Sequence, residues 1–188
     1  MPSFLTSTQV ICIIAIVALL FIFLIYFITK GNALARLVVK AQEAASGIDV
    51  ALSKRYGVLK KMFDASKGYM AHEKYMILES IKLRSGMPME EKMQAAARMD
   101  TAVTTINAVR EAYPQLASSA VFVNLQKGIS DTEEHLQAAR RLYNSNVSTL
   151  NQNIVSFPTS IVAAMRGIKK QEMFIAEASH RNDVDMNF

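Results

Sequence analysis

An unbroken apolar run occupies residues 10–28, whereas the rest of the chain carries apolar positions at helical spacing among polar ones. The run contains no charged residue, no proline and no glycine. As a helix, its 19 residues rise about 28 Å, close to the hydrocarbon thickness of a bilayer. Lipid accepts such a segment because a helix satisfies its own backbone N–H and C=O groups. The run therefore predicts one transmembrane anchor.

Two other interpretations of this run fit its length and its flanks less well. A cleaved signal peptide needs a basic leading segment and a small-x-small cleavage site. Residues 1–9 contain no Lys or Arg, and Thr29-Lys30-Gly31-Asn32 follows the run. A buried core helix of this length would carry a polar face, which the run lacks. We therefore expect an anchor that is not cleaved.

After the anchor, apolar and small side chains recur every three or four residues, which is typical of amphipathic helices. This spacing predicts a long first helix over 32–85 and a second helix over 89–112. A third helix is predicted over 117–156, with a heptad-like seam as in a coiled coil, and a short fourth over 161–166. Beyond Lys170 the period is lost, and we expect a flexible tail.

The connections between these helices are short, and short connections place consecutive helices antiparallel. They lie at 85–88, 113–117 and 157–159. The predicted fold class is all-α, with one N-terminal transmembrane helix followed by an antiparallel up-down helical bundle with long helices. The predicted division of the chain is an anchor over 1–29, a bundle over 30–168 and a tail over 169–188.

The first predicted helix is far longer than the second, so the second cannot cover its whole apolar stripe. Two outcomes are open: the first helix breaks and folds back, or part of its stripe is left for another chain. Whether this helix is continuous near Gly57 is open as well. An uncovered stripe of that length usually marks an interface. We expect self-association into a homo-oligomer through Leu37, Ala41, Ile48 and Leu52.

The distribution of charged residues predicts the orientation of the anchor and argues against nucleic acid as a partner. All 21 Lys and Arg and all 16 Asp and Glu follow position 29, and they are interspersed as on solvated helix faces. Nucleic-acid binding would need a basic stripe with aromatic residues, and it is not expected. Lys30, Arg36 and Lys40 follow the anchor, so the positive-inside rule predicts an outside N-terminus and a cytoplasmic C-terminal domain.

The residue pattern predicts no catalytic, metal or cofactor site. His72-Glu73 begins a zinc-protease motif, but Met76 stands where the second histidine is required. The single Cys12 lies in the anchor, and the chain has no glycine-rich phosphate loop. We therefore expect no enzyme activity, no cofactor and no small-molecule substrate.

Three polar residues recur beside the seam of the third predicted helix. Glu133, Arg140 and Asn144 stand at i, i+7 and i+11. They form either a buried network that fixes helix register or a solvated edge, and the network is favoured because Arg and Asn beside a seam are common register devices.

The chain contains several strings that are distinctive when read together: Gly47-Ile48-Asp49-Val50, Lys67-Gly68-Tyr69, Glu111-Ala112-Tyr113-Pro114, Ala138-Ala139-Arg140-Arg141 and Ser156-Phe157-Pro158. In their order and spacing they resemble the LemA family of bacterial inner-membrane proteins over about residues 1–168. The resemblance implies an anchored all-α bundle of four antiparallel helices, with no agreed activity, no cofactor and no catalytic residues. The chain lacks the family's proline within 58–63, which favours a straighter first helix.

Two functions follow from the sequence. The first is a non-enzymatic single-pass scaffold at the bacterial inner membrane, which self-associates or holds a membrane-protein partner through long helix faces. The alternative is an accessory or adaptor subunit of a membrane enzyme such as a membrane metalloprotease, because LemA-like genes often neighbour one. The methionine-rich second helix would then offer a groove contact, although methionines at helical spacing are more often core filler.

Overall fold

The computed structural model describes residues 7–70, 72–84 and 86–175. The helices in this part of the chain confirm the all-α fold class, and these residues contain no strand. The chain divides into two compact units, one of residues 1–40 with 149–171 and one of 41–148 with 172–188. The helices are α1 (Ser7–Ser66), α2 (His72–Glu79), α3 (Met89–Ala112), α4 (Pro114–Ala117), α5 (Ala120–Val155) and α6 (Thr159–Met165), with a 3₁₀ turn at Lys67–Tyr69.

The first unit contains the N-terminal part of α1, the end of α5 and α6. Every described side chain of α1 from position 8 to 25 is exposed, and packing begins at Tyr26. A small core forms further along, where α6 packs against α1 with Gly31 at the contact. A Cβ at Gly31 would meet the Arg166 guanidinium, which is the far end of a flexible side chain, so the arginine would have to move aside if a larger residue stood there. The buried residues of this core include Leu34, Leu150, Val162 and Ala163.

Side-chain contacts in the second unit give the directions of its three long helices. Along α1 and α3, Asp49 pairs with Lys92 and Arg55 pairs with Asp100, so the numbers rise together and the two helices are parallel. Between α1 and α5 the residue numbers run in opposite directions, because Arg55 contacts Glu133 whereas Val58 lies beside Gly128. These two helices are therefore antiparallel. The short α2 packs against α3, and Arg98 of α3 donates to the carbonyl of Ser80, the residue after α2. The helices of this bundle are therefore α1, α2, α3 and α5, with α5 antiparallel to the parallel pair α1 and α3.

The first helix ends at Ser66 instead of near position 85. It continues without a break through Gly57 and through 58–63. The chain then turns at Lys67–Tyr69 and returns as α2. Of the two outcomes left open by the sequence, the structure has the first, in which the predicted long helix breaks and folds back. The predicted limits of the second helix, 89–112, are confirmed.

The expectation of an uncovered stripe on the first helix is wrong. Ala41, Ile48 and Leu52 are at most 1% exposed in the core of the second unit, and Leu37, in the first unit, is half-buried. The cause is the direction of the helices. The short α2 brings α3 back parallel to α1, and the long α5 packs antiparallel to α1, so one chain supplies the cover for this stripe.

The predicted flexible tail also begins too early. Residues 171–175 are held by side chains of α5: Asn151 exchanges two hydrogen bonds with the backbone of Gln171, and Asn144 does the same with Phe174. Each amide side chain offers a donor and an acceptor, as a neighbouring strand would. Positions 176–188 of the predicted tail lie outside the described residues.

Because Ile48 is fully buried within the chain, its replacement tests where the stripe belongs. Ile48→Ala should cost about 3 kcal/mol of unfolding free energy by leaving a cavity. Ile48→Asp should abolish folding, because an unpaired carboxylate would be buried. The measurement is urea unfolding of the full chain in detergent, followed by circular dichroism. Val50→Ala, at an exposed position two residues on, is the matched control and should cost no more than about 0.5 kcal/mol. If Ile48→Asp folds and elutes as a smaller assembly on gel filtration, Ile48 lies in an interface between chains and this interpretation is wrong.

Candidate functional site

A cluster of charges around one buried arginine joins the three long helices of the second unit. Its centre is Arg55, only 3% exposed, which follows Leu52 by three positions and precedes Leu59 by four, so it occupies an apolar position of α1. Arg55 Nη2 lies 2.7 Å from Asp100 Oδ1 of α3 and 2.8 Å from Glu133 Oε2 of α5. One guanidinium therefore binds a carboxylate from each neighbouring helix, which fixes the relative register of all three.

Arg140 is the second cation of the cluster and lies seven positions after Glu133 on α5. The pKa of Arg140 is lowered, mainly by burial of its guanidinium. The charges of Glu133 and Asp100 raise this pKa in opposition to burial, whereas the charge of Arg55 lowers it further. The two arginines and two carboxylates balance in formal charge, which is the condition under which burial of ions is tolerated. The guanidinium of Arg140 also stacks 4.5 Å from the ring centre of Phe174, so the C-terminal segment covers the cluster.

A separate ion pair also joins α3 to α1. Lys92 of α3 is buried, and its Nζ lies 2.8 Å from Asp49 Oδ1 and donates to the Ala45 carbonyl at 3.2 Å. Lys92 follows Met89 by three positions and precedes Ala96 by four, so it too occupies an apolar position of its helix. Together with Arg55 it attaches α3 to α1 at two levels.

Polar side chains of α5 attach the C-terminal segment. Asn144 Nδ2 donates to the Phe174 carbonyl and Asn144 Oδ1 accepts from the Phe174 amide, both at 2.8 Å. Tyr143 Oη donates to the Glu172 carbonyl at 2.8 Å, and burial, with a contribution from the Glu172 charge, raises the pKa of Tyr143. The segment is therefore bonded through its backbone, which explains why its own sequence has no apolar period.

The structure brings the sequence-predicted polar residues into one region. Glu133 and Arg140 lie in the charge cluster, and Asn144 holds Phe174, on which Arg140 stacks. Sequence analysis missed Arg55, Asp100 and the Lys92 pair. A signal was present, because a charged residue at an apolar position of an amphipathic helix must be paired when that face is buried.

The cluster has the composition of a structural site. Both carboxylates face Arg55, and an arginine cannot act as a proton acceptor at neutral pH. Across the described side chains, no three His, Cys, Asp or Glu residues converge as metal ligands. Met87 and Met99 are buried and Met89 and Met93 half-buried, so these methionines contribute to packing more than to an open groove.

Removing the central cation should destabilise the fold strongly. Arg55→Met keeps the volume and leaves Asp100 and Glu133 with only the half-buried Arg140 as counter-charge, which should cost about 3 kcal/mol of unfolding free energy. Adding Asp100→Asn and Glu133→Gln to this variant should restore most of the loss, since the repelling charges are then gone. Denaturant unfolding of the wild type, Arg55→Met, the Asp100→Asn/Glu133→Gln double variant and the triple variant gives the coupling energy.

Lys54→Met is the matched control, since Lys54 is the exposed neighbour of Arg55, and its cost should not exceed about 0.5 kcal/mol. Equal, small costs for Lys54→Met and Arg55→Met would show that the cluster does not hold the helices together.

Comparisons with known proteins agree with this architecture. The family model described as the LemA family matches residues 44–188, which include the core of α1, the charge cluster and the C-terminal segment. The chain is also similar to Protein LemA of Metamycoplasma hominis, with 30% identity over 173 residues that cover 87% of this chain and 77% of that protein. The family model matches most of the chain, and the observed fold is an all-helical bundle, so this protein belongs to the LemA family.

Proposed function

We propose that the protein is a non-enzymatic, single-pass membrane scaffold that carries a helical bundle on the cytoplasmic face of a bacterial inner membrane. The observation that carries this proposal is the change of environment along α1. The apolar side chains of α1 are exposed up to Ile25, yet in the same helix Ala41, Ile48 and Leu52 are core residues. One helix therefore belongs to lipid at one end and to a folded protein core at the other.

Two facts support an uncleaved anchor over a signal peptide or a core helix. Of the described helices, α1 alone is long and apolar enough to cross a membrane, and its apolar window has no buried residue. A core helix would be mostly buried. Cleavage after the apolar run would cut α1 immediately before Gly31 and Leu34, which are packed against the rest of the first unit.

Orientation follows from the charges beside the anchor. Lys30, Arg36 and Lys40 are all exposed on α1 after the apolar run, whereas residues 1–9 carry no Lys or Arg. The positive-inside rule therefore supports a cytoplasmic bundle. Tyr26 lies at the point where packing begins, which suits an aromatic side chain at the headgroup level.

The charge cluster supports a scaffold over an enzyme. Its ions are engaged in joining α1, α3 and α5, so the most polar part of the bundle interior serves register. Self-association through the α1 stripe forms no part of this proposal, because those side chains are already packed within the chain. The adaptor alternative needed an open groove lined by methionines, and this groove is less favoured because two of the four methionines are buried and two are half-buried.

A fluorescent protein that matures only in the cytoplasm, fused after Phe188, tests location and role together. The full chain with this fusion should fluoresce, sediment with membranes and resist alkaline extraction. When it is captured through the same fusion in gentle detergent, no enzyme should be recovered in stoichiometric amount. The matched control neutralises Lys30, Arg36 and Lys40 and places three lysines at 2–8, which should invert the anchor and abolish fluorescence.

A dark fusion with an intact, membrane-bound chain would refute the orientation. Release from the membrane at alkaline pH would refute the anchor. Stoichiometric recovery of one membrane enzyme would replace the scaffold by the adaptor.

A further inference from the structure

The short helix α6 presents an apolar face to the outside of the first unit. Ile161 and Met165 stand four positions apart in α6 and therefore share one face, and Phe157 lies in the turn two residues before α6. All three side chains are exposed. Phe157 is 82% exposed and Met165 70%, which is unusual for side chains of this size. We call these three residues the α6 apolar face. The opposite face of α6 is buried through Thr159, Val162 and Ala163.

Contacts inside the first unit fix the level of this face along α1. Thr159 Oγ1 lies 3.5 Å from Tyr26 Oη, and at the other end of α6 the Arg166 guanidinium lies against Gly31. Because both sets of numbers rise together, α6 runs parallel to α1 and away from the apolar run. Phe157 precedes Thr159, so it lies at the level of Tyr26 or closer to the lipid-exposed part of α1. The α6 apolar face thus begins where the exposed apolar surface of α1 ends.

The charge of this unit fits the headgroups of a membrane. Its residues, 1–40 and 149–171, include no Asp or Glu. Its Lys and Arg residues are Lys30, Arg36, Lys40, Arg166, Lys169 and Lys170, and all of them are exposed. A cationic rim beside an exposed apolar face is the pattern of segments that lie in the boundary between headgroups and acyl chains of anionic membranes.

We propose that the α6 apolar face is a second membrane contact, which inserts into the headgroup and acyl boundary of the leaflet that α1 leaves at Tyr26. This proposal rests on the proposed function, since the anchor brings the face to the bilayer. Lipid is the occupant because the face continues the lipid-exposed surface of α1 at the same level, in a unit whose charged residues are all basic. The contact would hold the return from α5 to α6 on the membrane and fix how the first unit sits there.

Depth-dependent fluorescence quenching tests the contact in the full chain. An environment-sensitive dye is attached in detergent to one cysteine at a time: native Cys12, or Phe157→Cys, Met165→Cys and Lys169→Cys in a Cys12→Ala background. Each labelled protein is reconstituted into nanodiscs of phosphatidylcholine and phosphatidylglycerol that carry a nitroxide either near the headgroup end or deep in the acyl chain. All three engineered positions are exposed, so the substitutions should leave the fold intact.

The dyes at Phe157→Cys and Met165→Cys should emit at shorter wavelength than the dye at Lys169→Cys and lose intensity to the shallow nitroxide. The dye at Cys12 should lose most of its intensity to the deep nitroxide. If Cys12 is quenched but Phe157→Cys and Met165→Cys match Lys169→Cys, the second contact is overturned while the anchor stands. If Cys12 itself escapes quenching in folded protein, the anchor fails and the contact fails with it. Loss of intensity at Phe157→Cys through contact between two labelled chains, without lipid quenching, would assign the face to a second copy and overturn the proposal.

Discussion

The burial of Arg55 is the constraint on which the bundle depends. A guanidinium inside a helical core is stable only when its charge is balanced, and the balance here comes from carboxylates of two other helices. Apolar contacts alone would allow α3 and α5 to slide along α1 at modest cost. The ion pairs do not allow this, because a shift by one turn would separate Arg55 from both carboxylates. Arg140 extends the constraint to the C-terminal segment through Phe174.

The same helix that carries Arg55 has two environments. From position 10 to 25 its side chains are apolar and exposed, as a lipid-facing helix requires, and from Ala41 onwards one side of the helix becomes a protein core. The first unit contains the change, where Gly31 admits the close approach of Arg166 and Tyr26 lies near Thr159. A charged rim and an apolar face occur together in this unit, which is consistent with the role we assign to it at a membrane surface.

Much of the fold can be predicted from the helical spacing of apolar residues and from the prolines that end helices. The limits of α3 and the position of α6 were predicted because Pro88, Pro114 and Pro158 interrupt clear helical patterns. The end of α1 was missed because the period continues through Lys67–Tyr69, so only tertiary packing shows that the chain turns there. The apolar stripe of the first helix was predicted to contact a second copy for the same reason. If the first helix ran to position 85, the other helices of the chain would be too short to cover it.

The site was predictable in part. Glu133, Arg140 and Asn144 stand out beside a heptad-like seam, and the structure places them in or next to the charge cluster. Their partners could not be inferred from spacing along one helix, because Arg55 and Asp100 come from helices whose relative direction was unknown. The bonds that hold residues 171–175 use backbone groups, which leave no mark in the sequence of the segment itself.

Hydrogen exchange of the full chain in nanodiscs tests the central claim that the cluster makes α1, α3 and α5 one cooperative unit. Amides near Arg55, Asp100 and Glu133 should exchange through a common opening with the same free energy. Arg55→Met should lower that free energy by the same amount in all three helices. Exchange of the α3 amides at a distinctly lower opening free energy than those of α1 and α5, unchanged by Arg55→Met, would contradict the account.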